Sequence, residues 1–179
     1  AGGVWYDNPI NFSEDFTIYY QSNFGSKDSN GADGMAIVFK GNSQPELGIV
    51  GGGLSYQGIP TSLIVEFDTW QNTDLNDPTF DHISIMKNGD ANHANPVNNL
   101  AGPIQAITTN ANIEDGNTHE VKIEWLALQQ LFVVYFDCQA RLQINLDIKN
   151  SVFGGDDSVY FGFVGSTGGN SNLHQVCLN

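Results

Sequence analysis

Positive charge is what this sequence has least of: six Lys and Arg stand against 20 Asp and Glu among 179 residues, a formal net charge of −14 at pH 7. A surface of that sign repels polyphosphates and anionic headgroups, which argues against nucleic acid and membrane surfaces as partners. Long apolar runs are missing as well. No stretch reaches the roughly 18 consecutive apolar residues of a bilayer span, so no membrane insertion is expected. No basic-then-apolar leader stands at the start, and none is expected in the chain. It begins at Ala1 rather than Met and stops on the strand-like "LHQVCLN"; the expectation is a processed chain or a module excised from a larger protein. Cysteine is limited to Cys138 and Cys177. A bridge between them, worth roughly 4 kcal/mol in the chain-entropy model, is the expected state, with two buried free thiols as the alternative. Charged residues, at 15%, fall below the usual quarter, while 40% hydrophobic and 11% aromatic content is that of a folded chain. The length suits a single domain over residues 1–179.

Helical periodicity is nearly absent. The apolar segments 16–21, 34–40, 62–68, 82–88, 119–126, 130–137, 141–148, 158–166 and 173–178 are short and rich in Val, Ile, Phe and Tyr, and each predicts a strand. Gly, Asn, Asp, Ser and Pro clusters between them supply the turns. A helix competes only at "WLALQQLFVV", where the alternation of Val121, Ile123 and Trp125 with polar residues favours a hairpin. Strands without helical crossovers predict an all-β antiparallel sandwich. "MAIVF", apolar at consecutive positions, is expected to lie centrally with both faces covered. Residues 89–112 read as one long surface loop. Trp5 and Trp125 are expected in core packing, and His93 and His119 in surface loops among Asn, Gly and Asp. Asn11-Phe12-Ser13 is an N-glycosylation pattern that decides nothing.

The segment "LIVEFDTWQNTDLNDPTFDHISI", residues 63–85, crowds acids with no basic residue to balance them. On a strand Leu63, Val65 and Phe67 point one way while Glu66, Asp68 and Trp70 point the other. Neighbouring carboxylates repel unless a cation lies between them. Asp68, Asn72 and Asp77 with a backbone carbonyl form an oxygen set, as calcium prefers. Glu66, Asp68, Asp77 and His82 add an imidazole, which suits a first-row ion such as manganese or zinc. A solvated acidic turn is the competing reading. A glycosidase reading of the same strand, in which paired carboxyl groups do the chemistry, fails at its third alternating position, which is Trp70.

These residues resemble the legume-type (L-type) lectin family over most of the chain. "VEFDTWQNTDLNDPTFDHISI" is similar to its metal-binding segment with the spacing intact from Glu66 to His82. "ADGMAIVF" (32–39) resembles its sugar-binding Asp segment, "GGGLSYQGIP" (51–60) the glycine turn before the metal strand, "DGNTHEVKIEW" (115–125) a recurring strand start, and "FVGSTGGNSNLHQV" (163–176) the last sugar-contacting loop.

The resemblance implies a jelly-roll β-sandwich of the concanavalin-like lectin fold. It implies a transition ion, Mn2+ before others, held by Glu66, Asp68, Asp77 and His82. It implies Ca2+ held by Asp68, the Trp70 carbonyl, Asn72 and Asp77, and a cis peptide bond at Ala32-Asp33. It implies a sugar site in which Asp33 and the Asn72 amide hydrogen-bond hydroxyls, Gly52 or Gly53 donates a backbone N–H, and Trp70 covers the ring. Gly168, Gly169, Asn170, Ser171 and Asn172 fill the specificity loop, and His174 makes a structural hydrogen bond to it. The expected protein is a secreted or surface-displayed, non-enzymatic lectin module that binds mono- or oligosaccharides and glycoconjugates for adhesion, alongside neighbouring modules of a larger surface protein. A jelly-roll polysaccharide hydrolase and a calcium-stiffened structural spacer are the alternatives.

Overall fold

The computed structural model describes residues 1–41 and 46–178. Seven of the strands formed by the described residues make one sheet: β1 (Gly2–Trp5), β2 (Ile10–Asn11), β4 (Gly34–Gly41), β5 (Ser62–Asp68), β6 (His82–Lys87), β7 (Asn99–Ile104) and β11 (Ser158–Ser166). Their order is β1-β11-β4-β5-β6-β7, with β2 also pairing with β11. The second sheet holds β3 (Phe16–Asn23), β8 (His119–Leu126), β9 (Leu131–Phe136), β10 (Gln139–Asn145) and β12 (Gln175–Leu178) in the order β10-β9-β8-β3-β12. Every named pair is antiparallel. The two sheets form a jelly-roll sandwich, as their strand content predicts.

Alternation decides which face of each strand is covered. Leu63, Val65 and Phe67 of β5 join Ile123, Phe132, Val134 and Phe136 in the core between the sheets. Burying side chains of this size contributes about 1.5–3 kcal/mol each. Trp125 is fully buried there, its indole Nε1–H donating to the Phe12 carbonyl at 3.0 Å. The opposite face of the seven-stranded sheet is not left to solvent. Leu54, Tyr56, Ile59 and Ala91 cover Ala36, Val38, Ile64, Met86 and Val164 there in a second apolar cluster. Strand β4, the "MAIVF" strand, is therefore buried at all eight positions.

All nine predicted strands are present, and the described residues form three more that were not foreseen. β1 and β2 are short, and β7 lies within the segment read as loop. Pro103 cannot donate to a ladder, so a strand containing it belongs at an edge, where β7 lies. The predicted strand 141–148 stops at Asn145 because Asp147 caps a short helix, α1 (Ile148–Ser151), by accepting from the Asn150 N–H at 3.1 Å.

The expected Cys138–Cys177 disulfide is corrected. Both thiols are free and exposed. Cys177 on β12 faces Gln21 of β3, which faces Glu120 of β8, and Cys138 lies beyond β9 with its Sγ 3.8 Å from Glu120 Oε2. Strand spacings of about 4.8 Å then separate the cysteines by roughly 14 Å, twice the reach of a disulfide. His119 is also corrected from loop to core: it is 4% exposed, stacks on Phe136 and pairs with Asp137 Oδ2 at 2.8 Å.

Candidate functional site

Register puts the chemistry of the seven-stranded sheet on its loop-covered face. Asp68 is opposite His82 on β6 and Gly34 on β4, and Glu66 is opposite Ser84 and Ala36. Small residues on β4 leave room beside the acids. The chain from Thr69 to Asp81 then loops over them, with a single 3-10 turn at Thr73–Leu75, and carries Asp77 back to the same spot. Its Oδ2 accepts the Asn72 N–H at 2.6 Å, so the loop closes on itself.

The result is a buried cluster of Glu66, Asp68, Asp77, His82 and His93. Two groups of possible ligand atoms, Glu66/His82/His93 and Asp68/Asp77/His82, each lie within 4.8 Å of one another. Glu66 Oε2 accepts the Tyr56 hydroxyl, Glu66 Oε1 lies 2.6 Å from His93 Nε2, and Trp70 N–H donates to Asp68 Oδ1 at 2.8 Å. His82 Nδ1 lies 3.3 Å from the Phe80 carbonyl. A carbonyl only accepts, so Nδ1 carries the proton and Nε2 keeps its lone pair. That Nε2 is buried and makes no hydrogen bond, and so is Asp77 Oδ1. Among the described residues, no lysine or arginine pairs with the cluster. Burial pushes Glu66 up to about 8 and Asp77 up to about 6, raises Asp68, and pulls His82 down to about 3. Buried acids, a lone-pair nitrogen and the unpartnered Asp77 Oδ1, gathered in two overlapping groups that share His82, form a donor set that fits divalent cations.

His93, expected in a surface loop, is corrected. Its side chain is 3% exposed and sits against Glu66 and Asp77. Ser84, whose Oγ lies 3.1 Å from His93 Nε2, and Tyr56, whose hydroxyl donates to Glu66, were also missed. Ser84 shares a face with His82 by simple alternation, which is a signal the sequence does carry; a turn tyrosine and a loop histidine give none.

Beside the cluster, Asp33 follows a cis Ala32-Asp33 bond. Its backbone is fixed by N–H donation to Ser166 O and by acceptance from Thr69 N–H, both at 3.0 Å. Its Oδ2 is buried and unpartnered, as is Asn72 Oδ1, and burial raises the Asp33 pKa. A side chain on Gly168 would approach Asp33 Oδ2 to 3.3 Å, and one on Gly52 would approach Asn72 Oδ1 to 2.5 Å. Asp33, Asn72, Gly52 and Gly168 are thus brought together. Gly53 instead packs beneath, against Gln57 and Ile49. Trp70 is half-buried, and Gly169 borders open space. Asn170 and Ser171 engage through their carbonyls, with Gly168 N–H and Lys27 Nζ respectively. Asn172 is a staple: its Nδ2 donates to Glu114 Oε1 at 2.6 Å and to Lys27 O at 3.1 Å, and its Oδ1 accepts Ser26 N–H. His174 is not the expected hydrogen-bonded residue, because its buried Nε2 has no partner.

The family model described as "Legume lectin beta-barrel domain" matches residues 1–179. The chain belongs to the L-type lectin family. Among curated relatives, this lectin domain is similar to the L-type lectin-domain containing receptor kinase VIII.1 of Arabidopsis thaliana, 29% identical over 195 residues. That match covers 98% of the chain and 26% of the kinase, so the chain spans about a quarter of that relative's length. Among solved structures it is similar to basic winged bean lectin with Tn-antigen, at TM-score 0.73 and 20% identity, covering 97% of this chain and 76% of that one. It is also similar to winged bean acidic lectin complexed with methyl-α-D-galactose, at TM-score 0.69 and 21% identity, covering 99% and 76%. The structural likenesses carry the jelly-roll fold.

Proposed function

We propose that this lectin domain binds carbohydrate at the Asp33 rim, and that a calcium ion and a neighbouring transition ion organise the rim from behind. Glu66, Asp68, Asp77 and His82 would hold the transition ion, and Asp68, the Trp70 carbonyl, Asn72 and Asp77 the calcium. Bound there, the cations would neutralise the buried carboxylates and lock the loop that carries Asn72. The observation that carries the proposal is a pair of buried, unpartnered polar atoms, each bordered by a glycine: Asp33 Oδ2 beside Gly168 and Asn72 Oδ1 beside Gly52. A buried acceptor without a donor is destabilising by about 1–3 kcal/mol, so such pairs are retained where a ligand completes them. A carboxylate accepts hydroxyl protons, an amide both donates and accepts, and the half-buried Trp70 indole offers an apolar plate to the C–H face of a sugar ring.

The role is binding rather than hydrolysis. Glu66 and Asp68 are 1% and 2% exposed, too deep to reach a glycosidic bond. Winged bean acidic lectin, of the same fold, is a complex with methyl-α-D-galactose, and a mono- or oligosaccharide is the corresponding ligand here. A shallow site of this kind buries few atoms and binds weakly, so adhesion to glycoconjugates would rely on repeated copies within a larger secreted or cell-surface protein.

Asp33→Ala is the direct test. Retention on a glycan column should fall at least about tenfold, while metal content and melting temperature stay near those of the parent, because Asp33 is not a metal ligand in this scheme. Unchanged retention would remove Asp33 from the site.

A further inference from the structure

His93 is held in the buried acidic cluster by the segment between β6 and β7, which is tied down by its own hydrogen bonds. Its N–H donates to the Leu75 carbonyl at 3.0 Å, and its own carbonyl accepts the Asn99 amide at 2.9 Å. Asp90 gathers the rest, accepting from Asn92 N–H, Asn95 Nδ2 and Asn98 Nδ2, while Asn76 on the acidic loop donates to Asn92 Oδ1 at 2.8 Å. Such a clamp on an Asn-rich segment fixes one ring in one place.

The ring so fixed lies along the cluster edge. His93 Nε2 is 2.6 Å from Glu66 Oε1, and His82 Nε2 is 3.8 Å from that same oxygen. The two imidazoles meet edge to face with centroids 4.8 Å apart. Ligand atoms at right angles on bonds of about 2.1 Å lie roughly 3 Å apart, a value these separations bracket. On the far side, His93 Nδ1 and Asp77 Oδ1 are 3.2 Å apart, yet both are buried without a hydrogen bond. Contacts of His93 Nε2 with Glu66 Oε1 and, at 3.1 Å, with Ser84 Oγ leave His93 Nδ1, Asp77 Oδ1 and His82 Nε2 unsatisfied, whereas a cation beside Nε2 engages the lone pairs of both imidazoles and frees Nδ1–H to donate to Asp77.

We propose that His93 is a direct ligand of the transition ion through Nε2, giving the centre two imidazoles alongside Glu66, Asp68 and Asp77. The proposal rests on the metal-organised site described above and adds to it both a ligand and a preference. With Nε2 on the ion, Nδ1 steadies the Asp77 carboxylate, the way metal-bound histidines are oriented by acids behind them. A second nitrogen donor shifts the site from oxygen-loving Mn2+ toward Zn2+, Co2+ and Ni2+, which imidazole favours.

The test uses the intact chain with 15N-labelled histidine, loaded with 113Cd2+ in excess calcium. Each ligating nitrogen then shows a one-bond cadmium coupling, and with four histidines in the sequence every coupling can be assigned. Two couplings are expected, from Nε2 of His82 and Nε2 of His93, with the second lost in His93→Gln. The same substitution should lower the preference for zinc over manganese, read by competition and elemental analysis, by about 10–100-fold. The count in the unsubstituted chain decides the matter even if the variant folds poorly. One coupling, from His82 alone, would overturn the His93 assignment and leave the metal-organised site standing. No cadmium uptake at all would overturn both.

Discussion

Glu114 shows what burial does to a carboxyl group in this chain. Desolvation, aided by Asp81 and Asp28 and opposed by the bond from Asn172, pushes its pKa from 4.5 up to about 7. The folded state therefore keeps a proton that the unfolded chain releases, so Glu114 subtracts stability as pH rises from 4.5 to about 7. Glu114→Gln retains an acceptor for Asn172 and removes the charge. At pH 8 the variant should be more stable than the parent by about 1–3 kcal/mol, with no gain at pH 4; urea unfolding at the two pH values checks it. A gain of equal size at both would show that charge is not the cause. The cysteines give a second check at this scale. Both should react with a thiol reagent in the folded protein without prior reduction, and an unreactive pair would reinstate the bridge. Glu66, Asp68, Asp77 and His82 were legible because alternation along one strand and the next puts such side chains on one face. His93 was not, because its position depends on how an eleven-residue connection folds back, and no period encodes that.

Elements were easier to read than their ends. The strands that bury alternate residues declared themselves through Val, Ile and Phe. β7 was hidden because an edge strand tolerates Asn, Gly and Pro, which in a central strand would break the ladder. The crossing from β4 to the site depends on Gly34, which has φ +136° and is opposite Asp68. A Cβ there would lie 2.2 Å from the Phe67 carbonyl oxygen. Gly34→Ala should thus strain the backbone next to Asp33 and separate β4 from β5 locally. A loss of about 2–4 kcal/mol in unfolding free energy is expected, together with weaker sugar retention. A fully stable variant would mean that the strand pair adjusts without loss.

For the whole molecule, the excess of acid over base has a focus. Part of it is concentrated in a centre that, among the described residues, pairs with no lysine or arginine, so the fold and the proposed cations are linked by mass action. At metal concentrations about 100-fold above dissociation constants, binding to the folded state alone adds about 3 kcal/mol. Chelation should then lower the melting temperature by roughly 6–12 °C for a chain of this length. A melting temperature indifferent to chelation would deny the ions any structural part. The measurement that tests the central claim most directly is a glycan-array screen of the chain in calcium and manganese, repeated after chelation and again after metal is restored. Binding to a defined set of sugars that vanishes on chelation and returns with metal is the expected result. Absence of binding in every state, with metals present by elemental analysis, would contradict the lectin assignment and leave a metal-stiffened spacer in its place.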